Sequence, residues 1–354
     1  MKKRWKILLG AGGLLVAAAL VPIIYIEAAC SPSNAVGGEQ RQPLIRDPAW
    51  QRGEARTWLT YPEWYIVYSA ESFGRFLDSE PPSAFPYWRH VRGFWSGYCA
   101  VNQAAPVEGA GEAKVMIYTI GLSYSAELLF KAGYENTIGR LFEWLSGWKS
   151  ADDRYAAKVQ QRYGAFMHEV PWYEFPFGDA FSGLWDTSEP RQVARHWERR
   201  LALSAEYGVK AGYAGLIGWA SGATLGRDER SLRFVARGNP AAIRAIDARL
   251  RPVTRLPDGS LVVEAPRYAQ FTELLGKLAN SNVAIREIAG NDDIFLTVLV
   301  PASHPARPGQ LIAVPLDDRP GWSRVGISTK VDRLLPLMRS IRGSGAEIEH
   351  VYDY

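Results

Sequence analysis

The chain has 354 residues, 47% hydrophobic and 22% charged, which suits two packed globular domains and excludes a disordered or fibrous protein. Its net charge of +4 is accounted for by Lys2, Lys3, Arg4 and Lys6 at the start, so the rest of the chain is balanced and gives no support to nucleic-acid binding. Two cysteines cannot build a paired CxxC metal site, and neither a metal nor a cofactor is expected.

Residues 7–26 are apolar and uncharged. At about 1.5 Å per helical residue they cover roughly 30 Å, the thickness of a bilayer core. A cleaved signal has a shorter apolar run, and Glu27 occupies the position where a lipoprotein signal wants a leucine-like residue. We therefore expect residues 1–29 to be an uncleaved transmembrane anchor. The basic flank sets the N-terminus in the cytoplasm and the body outside it, in the periplasm of a bacterial inner membrane. Outside the cytoplasm Cys30 and Cys99 can form a disulfide; two unpaired thiols, with Cys99 a small buried hydrophobe, are the alternative. Residues 30–56, polar and rich in Pro and Gly, read as a linker or extended arm.

Residues 57–230 read as a mostly helical, aromatic-rich domain; all tryptophans but Trp5 and Trp322 fall between positions 50 and 219. Thr60-x-x-Glu63 has the form of a capping box with Thr60 as N-cap. On the helix it would open, Tyr61, Trp64, Tyr65, Tyr68 and Phe76 share one core-facing stripe. The following helix carries Arg89, His90 and Arg92 on its polar side. The segments 115–130 and 211–226 are apolar but short of a span. Both crossing would give a three-span topology, and tightly packed helices in a soluble domain are preferred. Gly208, Gly212, Gly215, Gly218, Gly222 and Gly226 form a stripe that implies close approach of another backbone.

Residues 231–354 alternate short strands and helices. The order strand-helix-strand-strand-helix-strand predicts a ferredoxin-like α/β sandwich whose sheet is extended by a further strand-helix-strand, so the whole chain is α+β. The segment between DIFLTVLVP and WSRVGIS reads as a Pro-rich loop. Asp292-Asp293 and Asp317-Asp318 read as turn acids.

No phosphate-binding loop, HExxH, GxSxG or calcium loop is present in the sequence. His90 or His168 meeting Glu63, Glu127 or Glu174 would make an acid–base pair. The aromatic loop VPWYEFPFGDAFSGLW could stack a ligand. The candidate ligand-binding residues are Glu63, His90, Arg92, His168, Trp172 and Glu174, with core and surface roles the plainer alternative.

TYPEWYIVYS together with PWYEF resembles a group of uncharacterised bacterial membrane-anchored proteins over most of the chain. The resemblance implies an envelope location and carries over no activity and no functional residue. Two functions remain open. One is a non-enzymatic binding or assembly module that docks a protein partner or self-associates. The other is a membrane-proximal enzyme or carrier holding a lipid-like or quinone-like ligand among the aromatic helices.

Overall fold

The computed structural model describes residues 20–32, 42–53, 56–105, 110–188, 191–221 and 231–353. Most of the expected anchor, together with Gly222 and Gly226, lies outside them. Among the described residues no helix is long and apolar enough to cross a membrane.

The first described helix, α1 (20–29), is the tail of the apolar run. Ile26 and Cys30 at its end are buried, whereas Leu20, Val21, Ile24 and Tyr25 are exposed. Cys30 is disulfide-bonded to Cys99. Asn102 Nδ2 donates to the Cys30 carbonyl at 2.6 Å, which ties the same corner non-covalently.

The arm that follows is docked. Leu44 N and Ile45 N donate to the buried carboxylate of Glu287 at 2.6 and 2.8 Å. Ile45 packs with Val235 and Val262, and the Arg233 guanidinium lies 3.9 Å above the Trp50 ring. Such charge-assisted bonds to backbone N–H groups are short and strong, so residues 44–53 behave as a strap across a sheet.

The helical part begins with α2 (Arg56–Leu59) and α3 (Tyr61–Phe76). The expected capping box is not formed. Thr60 has helical dihedrals (φ −75°, ψ −20°) and makes no side-chain cap, because α2 runs almost continuously into α3. The aromatic stripe is where periodicity put it: Tyr61, Trp64, Tyr65 and Tyr68 are buried, and Phe76 packs at the margin. Next come α4 (Tyr87–Ala104) and α5 (Ala110–Tyr134); a π turn at Glu135–Gly139 then joins α5 to α6 (Arg140–Ser146) without a break. Three more helices complete this part: α7 (Ala151–Met167), α8 (Phe177–Trp185) and α9 (Val193–Ser221). A Ser150–Asp153 capping box opens α7 as expected.

Helix α9 is inside out. Its charged residues Arg195, Glu198, Arg199 and Arg200 are buried, while Val193, Trp197, Leu201, Val209, Tyr213 and Leu216 are exposed. It runs antiparallel to α5 and α6, and a ladder of ion pairs fills the seam. Lys210 meets Glu127 and Lys131 meets Glu206, each at 2.8 Å. Further along, Arg199 meets Glu135 at 2.8 Å, and Arg195 meets Glu198 at 3.1 Å and Asp153 of α7 at 2.9 Å. The π turn carries the Glu135 of this ladder, a use typical of π bulges at special positions. The glycine stripe departs from expectation. A Cβ added at Gly208, Gly212 or Gly215 would meet nothing within 4 Å, so these residues look outward and no backbone of the described chain approaches them.

The C-terminal part contains two four-stranded antiparallel sheets. The first runs β1 (Ser231–Arg237), α10 (Pro240–Ile246), β2 (Arg251–Arg255), β3 (Leu261–Pro266), α11 (Tyr268–Leu278) and β4 (Ala284–Ile288), with spatial order β2-β3-β1-β4. The second runs β5 (Asp293–Pro301), β6 (Gln310–Pro315), β7 (Trp322–Lys330), α12 (Val331–Arg342) and β8 (Glu347–Val351), with order β6-β7-β5-β8. The second sheet thus repeats the order of the first, with residues 302–309 replacing one crossover helix. The expected single extended sheet is corrected on two counts: the last strands form a sheet of their own, and β6 lies where a Pro-rich loop was read. Gly309 (φ +75°) enters β6 so close to Ser328 that a Cβ would stand 2.2 Å from its carbonyl oxygen. Both sheets share one apolar core with α11 and α12.

The helical and sheet parts also meet in a common core. Phe295, Ile312 and Tyr352 pack among Trp58, Tyr61 and Tyr65. Thr57 Oγ1 donates to the Tyr352 carbonyl at 3.2 Å and accepts from Phe295 N at 2.9 Å.

Candidate functional site at the junction of the two parts

Where α3 and α4 face β7 and the β6–β7 turn, the seam opens into a cavity of about 410 Å³. Tyr65, Tyr68, Ser69 and Ser72 enter it from one face of α3. His90, Arg92 and Gly93 enter from the polar side of α4, and Asp317, Asp318 and Arg324 from the second sheet. Both helices present aromatic stripes to the core, so the groups at the stripe edges fall into the seam.

Most charged groups around the cavity are paired. Arg324 donates to both Glu349 oxygens at 2.7 Å, with its guanidinium 4.0 Å above the Tyr68 ring. Arg89 pairs with Asp317 and Arg75 with Asp318, so the two turn acids clamp the sheet to the helices. Two groups stand apart. Arg92 is exposed and makes no ion pair or hydrogen bond among the described residues. His90 is buried, and neither ring nitrogen has a hydrogen-bond partner. Phe85 stacks on its ring at 4.6 Å, and Asp317 Oδ2 stands 3.5 Å from Nε2, beyond hydrogen-bonding geometry. A buried polar group without a partner costs free energy, and a ligand atom that reached it from the cavity would relieve that cost.

Burial pushes the His90 pKa down from 6.5 to about 4, against the pull of Asp317. The imidazole is neutral at pH 7 and offers one donor and one acceptor. It is too weak a base for efficient proton abstraction there, since a catalytic pKa belongs near the working pH. The Ser69 hydroxyl is engaged by Tyr124 at 2.6 Å and is not paired with His90. The arrangement suits binding better than turnover.

The low pKa has a measurable consequence. Below its ordinary 6.5 the unfolded chain takes up a proton that folded His90 refuses until about pH 4. Its contribution to stability is therefore complete above pH 6.5 and lost as pH falls toward 4, by on the order of 3 kcal/mol. Buried His350 is depressed by burial too and acts with the same sign. Urea midpoints should fall over that window, and His90→Gln should flatten part of the fall. An unchanged profile in the variant would assign the whole loss to other groups.

Of the six residues expected from sequence, the fold brings His90 and Arg92 to this cavity. Glu63 is half-buried in the first turn of α3. His168 lies at the end of α7, with Nε2 3.3 Å from Glu71 rather than near Glu63, Glu127 or Glu174. Its ring packs on Trp64, against which His350 also stacks at 3.6 Å. Trp172 packs on Tyr213 of α9, and Glu174 is exposed in a short 3-10 turn. Glu127 belongs to the ion ladder. Tyr65 and Tyr68 were read as part of the core stripe of α3, and Asp317 and Arg324 were not singled out as site residues, because only the long-range placement of β7 and the turn before it brings them to the α3–α4 seam. A second cavity of about 330 Å³ lies beside the ladder, where Lys131 pairs with Glu206, Arg199 with Glu135 and Asp153 with Arg195. Among the described residues no group of His, Cys, Asp and Glu could hold a metal ion.

No protein-family model matches the chain, and no curated protein or solved structure matches it either. The functional reading therefore rests on the geometry.

Proposed function

We propose that the chain is a membrane-anchored extracytoplasmic binding protein. It takes a small monoanionic ligand bearing hydroxyl groups into the cavity between its helices and second sheet. The anchor reading rests on the apolar run 7–26 and its basic flank, and the Cys30–Cys99 pairing fits an oxidising compartment. Each half of the C-terminal part reads as a ferredoxin-like unit by strand order, the second lacking one helix; that architecture hosts many functions and decides none.

The observation that carries the reading is His90, buried at a cavity wall with both ring nitrogens unsatisfied. Among the described residues lining the cavity, Arg92 is the unpaired cation, and it selects a single negative charge. Ser72 and the two tyrosines offer a polar and aromatic lining for hydroxyls and the carbon frame. The class is that of hydroxylated monocarboxylates.

The test is calorimetric titration of the full-length protein in detergent with gluconate and glucuronate, with butyrate as the hydroxyl-free control. Saturable binding of a hydroxylated acid should weaken about tenfold in Arg92→Ala, as expected for one lost charge-assisted bond. It should be abolished in His90→Phe, which fills the cavity wall without polar atoms. Equal affinity in all three proteins would remove the cavity from the account.

A further inference from the structure

We infer that the outward faces of α5, α6 and α9 are a second membrane contact, seated against lipid acyl chains. In a water-facing helix the charges point out and the apolar stripe points in. Here charged residues turn inward, with Leu203 and Tyr207 beside them, and apolar ones turn outward: Arg195, Glu198, Arg199 and Arg200 are buried, while Leu201 is 63% and Val209 73% exposed. The antiparallel partner repeats the pattern, with Phe130 78% and Trp144 80% exposed. Paired charges turned into the bundle and apolar residues turned out are the arrangement that hydrocarbon imposes.

Dimensions and ends favour lipid over a protein partner. From Val193 to Leu216, α9 presents outward apolar residues over roughly 35 Å, close to the hydrocarbon thickness of a bilayer. At one end exposed Trp144, Trp185 and Trp197 gather, with Trp185 and Trp197 6.4 Å apart, as in the aromatic belts of membrane interfaces. At the other end stands the tail of the anchor. Glu27 of α1 is held by Lys114 and Tyr118 of α5, and both helices expose apolar residues, Leu20, Val21 and Ile24 on α1 and Val115 and Met116 on α5. The described tail of the apolar run, residues 20–26, is thus tied to the start of α5. By contrast, the C-terminal part exposes a single large hydrophobic residue among those described, Val253.

This contact is independent of the His90 cavity, so loss of ligand binding would leave it unchanged. The test uses the full-length protein in phosphatidylcholine liposomes carrying a diazirine on the acyl chain, with labelled peptides mapped by mass spectrometry. Label should appear in 115–145 and 193–216 at several-fold the level in 231–353. Label confined to residues 1–29 would leave the anchor as the membrane contact and overturn the inference. Cross-links between copies at Gly208 and Gly212 with no lipid label on α9 would overturn it in favour of a second copy.

Discussion

Arg195→Met is expected to destabilise the protein by about 3–5 kcal/mol, the cost of stranding a partner of a buried ion pair. Arg195 is fully buried. It donates to Asp153 at 2.9 and 3.1 Å, to Glu198 at 3.1 Å and to the Gly139 carbonyl at 3.1 Å. Methionine matches much of the volume but returns none of these bonds, and it leaves Asp153 without its cation in a dry seam, while Glu198 keeps Arg199. The site links α6, α7 and α9, so the loss falls on the packing of three helices. Thermal unfolding of the full-length protein in detergent measures it, with Arg195→Lys as the variant that keeps the charge and loses the fork. A shift within 1 °C for Arg195→Met would mean that water enters the seam and solvates the acids.

Removing the Cys30–Cys99 link is the second large effect. The bridge joins residues 69 apart in sequence, and closing a loop of that length is worth roughly 4 kcal/mol in the chain-entropy model. The native corner keeps its other ties, the Asn102 and Gln103 bonds to the carbonyls of Cys30 and Ala29. The loss should therefore appear in unfolding rather than as a changed fold. Urea midpoints of Cys30→Ser/Cys99→Ser against the parent should fall, and reductant should lower the parent to the same value. A reduced parent as stable as the oxidised one would show that α1 is held by packing alone.

Helices up to Ser221 and strands from Ser231 were legible because composition changes between them: tryptophan all but disappears and period-2 runs begin. The aromatic stripe of α3 and the two helices α11 and α12 followed from spacing. The orientation of α9 was hidden for a physical reason. Apolar periodicity marks which residues share a face and says nothing about which side of that face holds water, lipid or protein. The same blindness made Gly208, Gly212 and Gly215 look like a packing seam. Strand β6 was missed because Pro305, Pro308 and Pro315 read as a loop, though Pro315 sits at the strand's last residue, where a ladder tolerates it. At the cavity, His90 and Arg92 were visible as a polar cluster on one helix. Asp317 and Arg324 were not, since a turn acid and a strand arginine carry no local mark of what they will face across 220 residues or more.

The strap and the Thr57 bonds impose an order of events on biogenesis. Leu44 and Ile45 wait for Glu287, and Thr57 waits for Phe295 and Tyr352. Segments made early thus have partners among the last to be synthesised. The front end stays unsatisfied until nearly the whole polypeptide has been made, a long-range closure of the kind that slows folding.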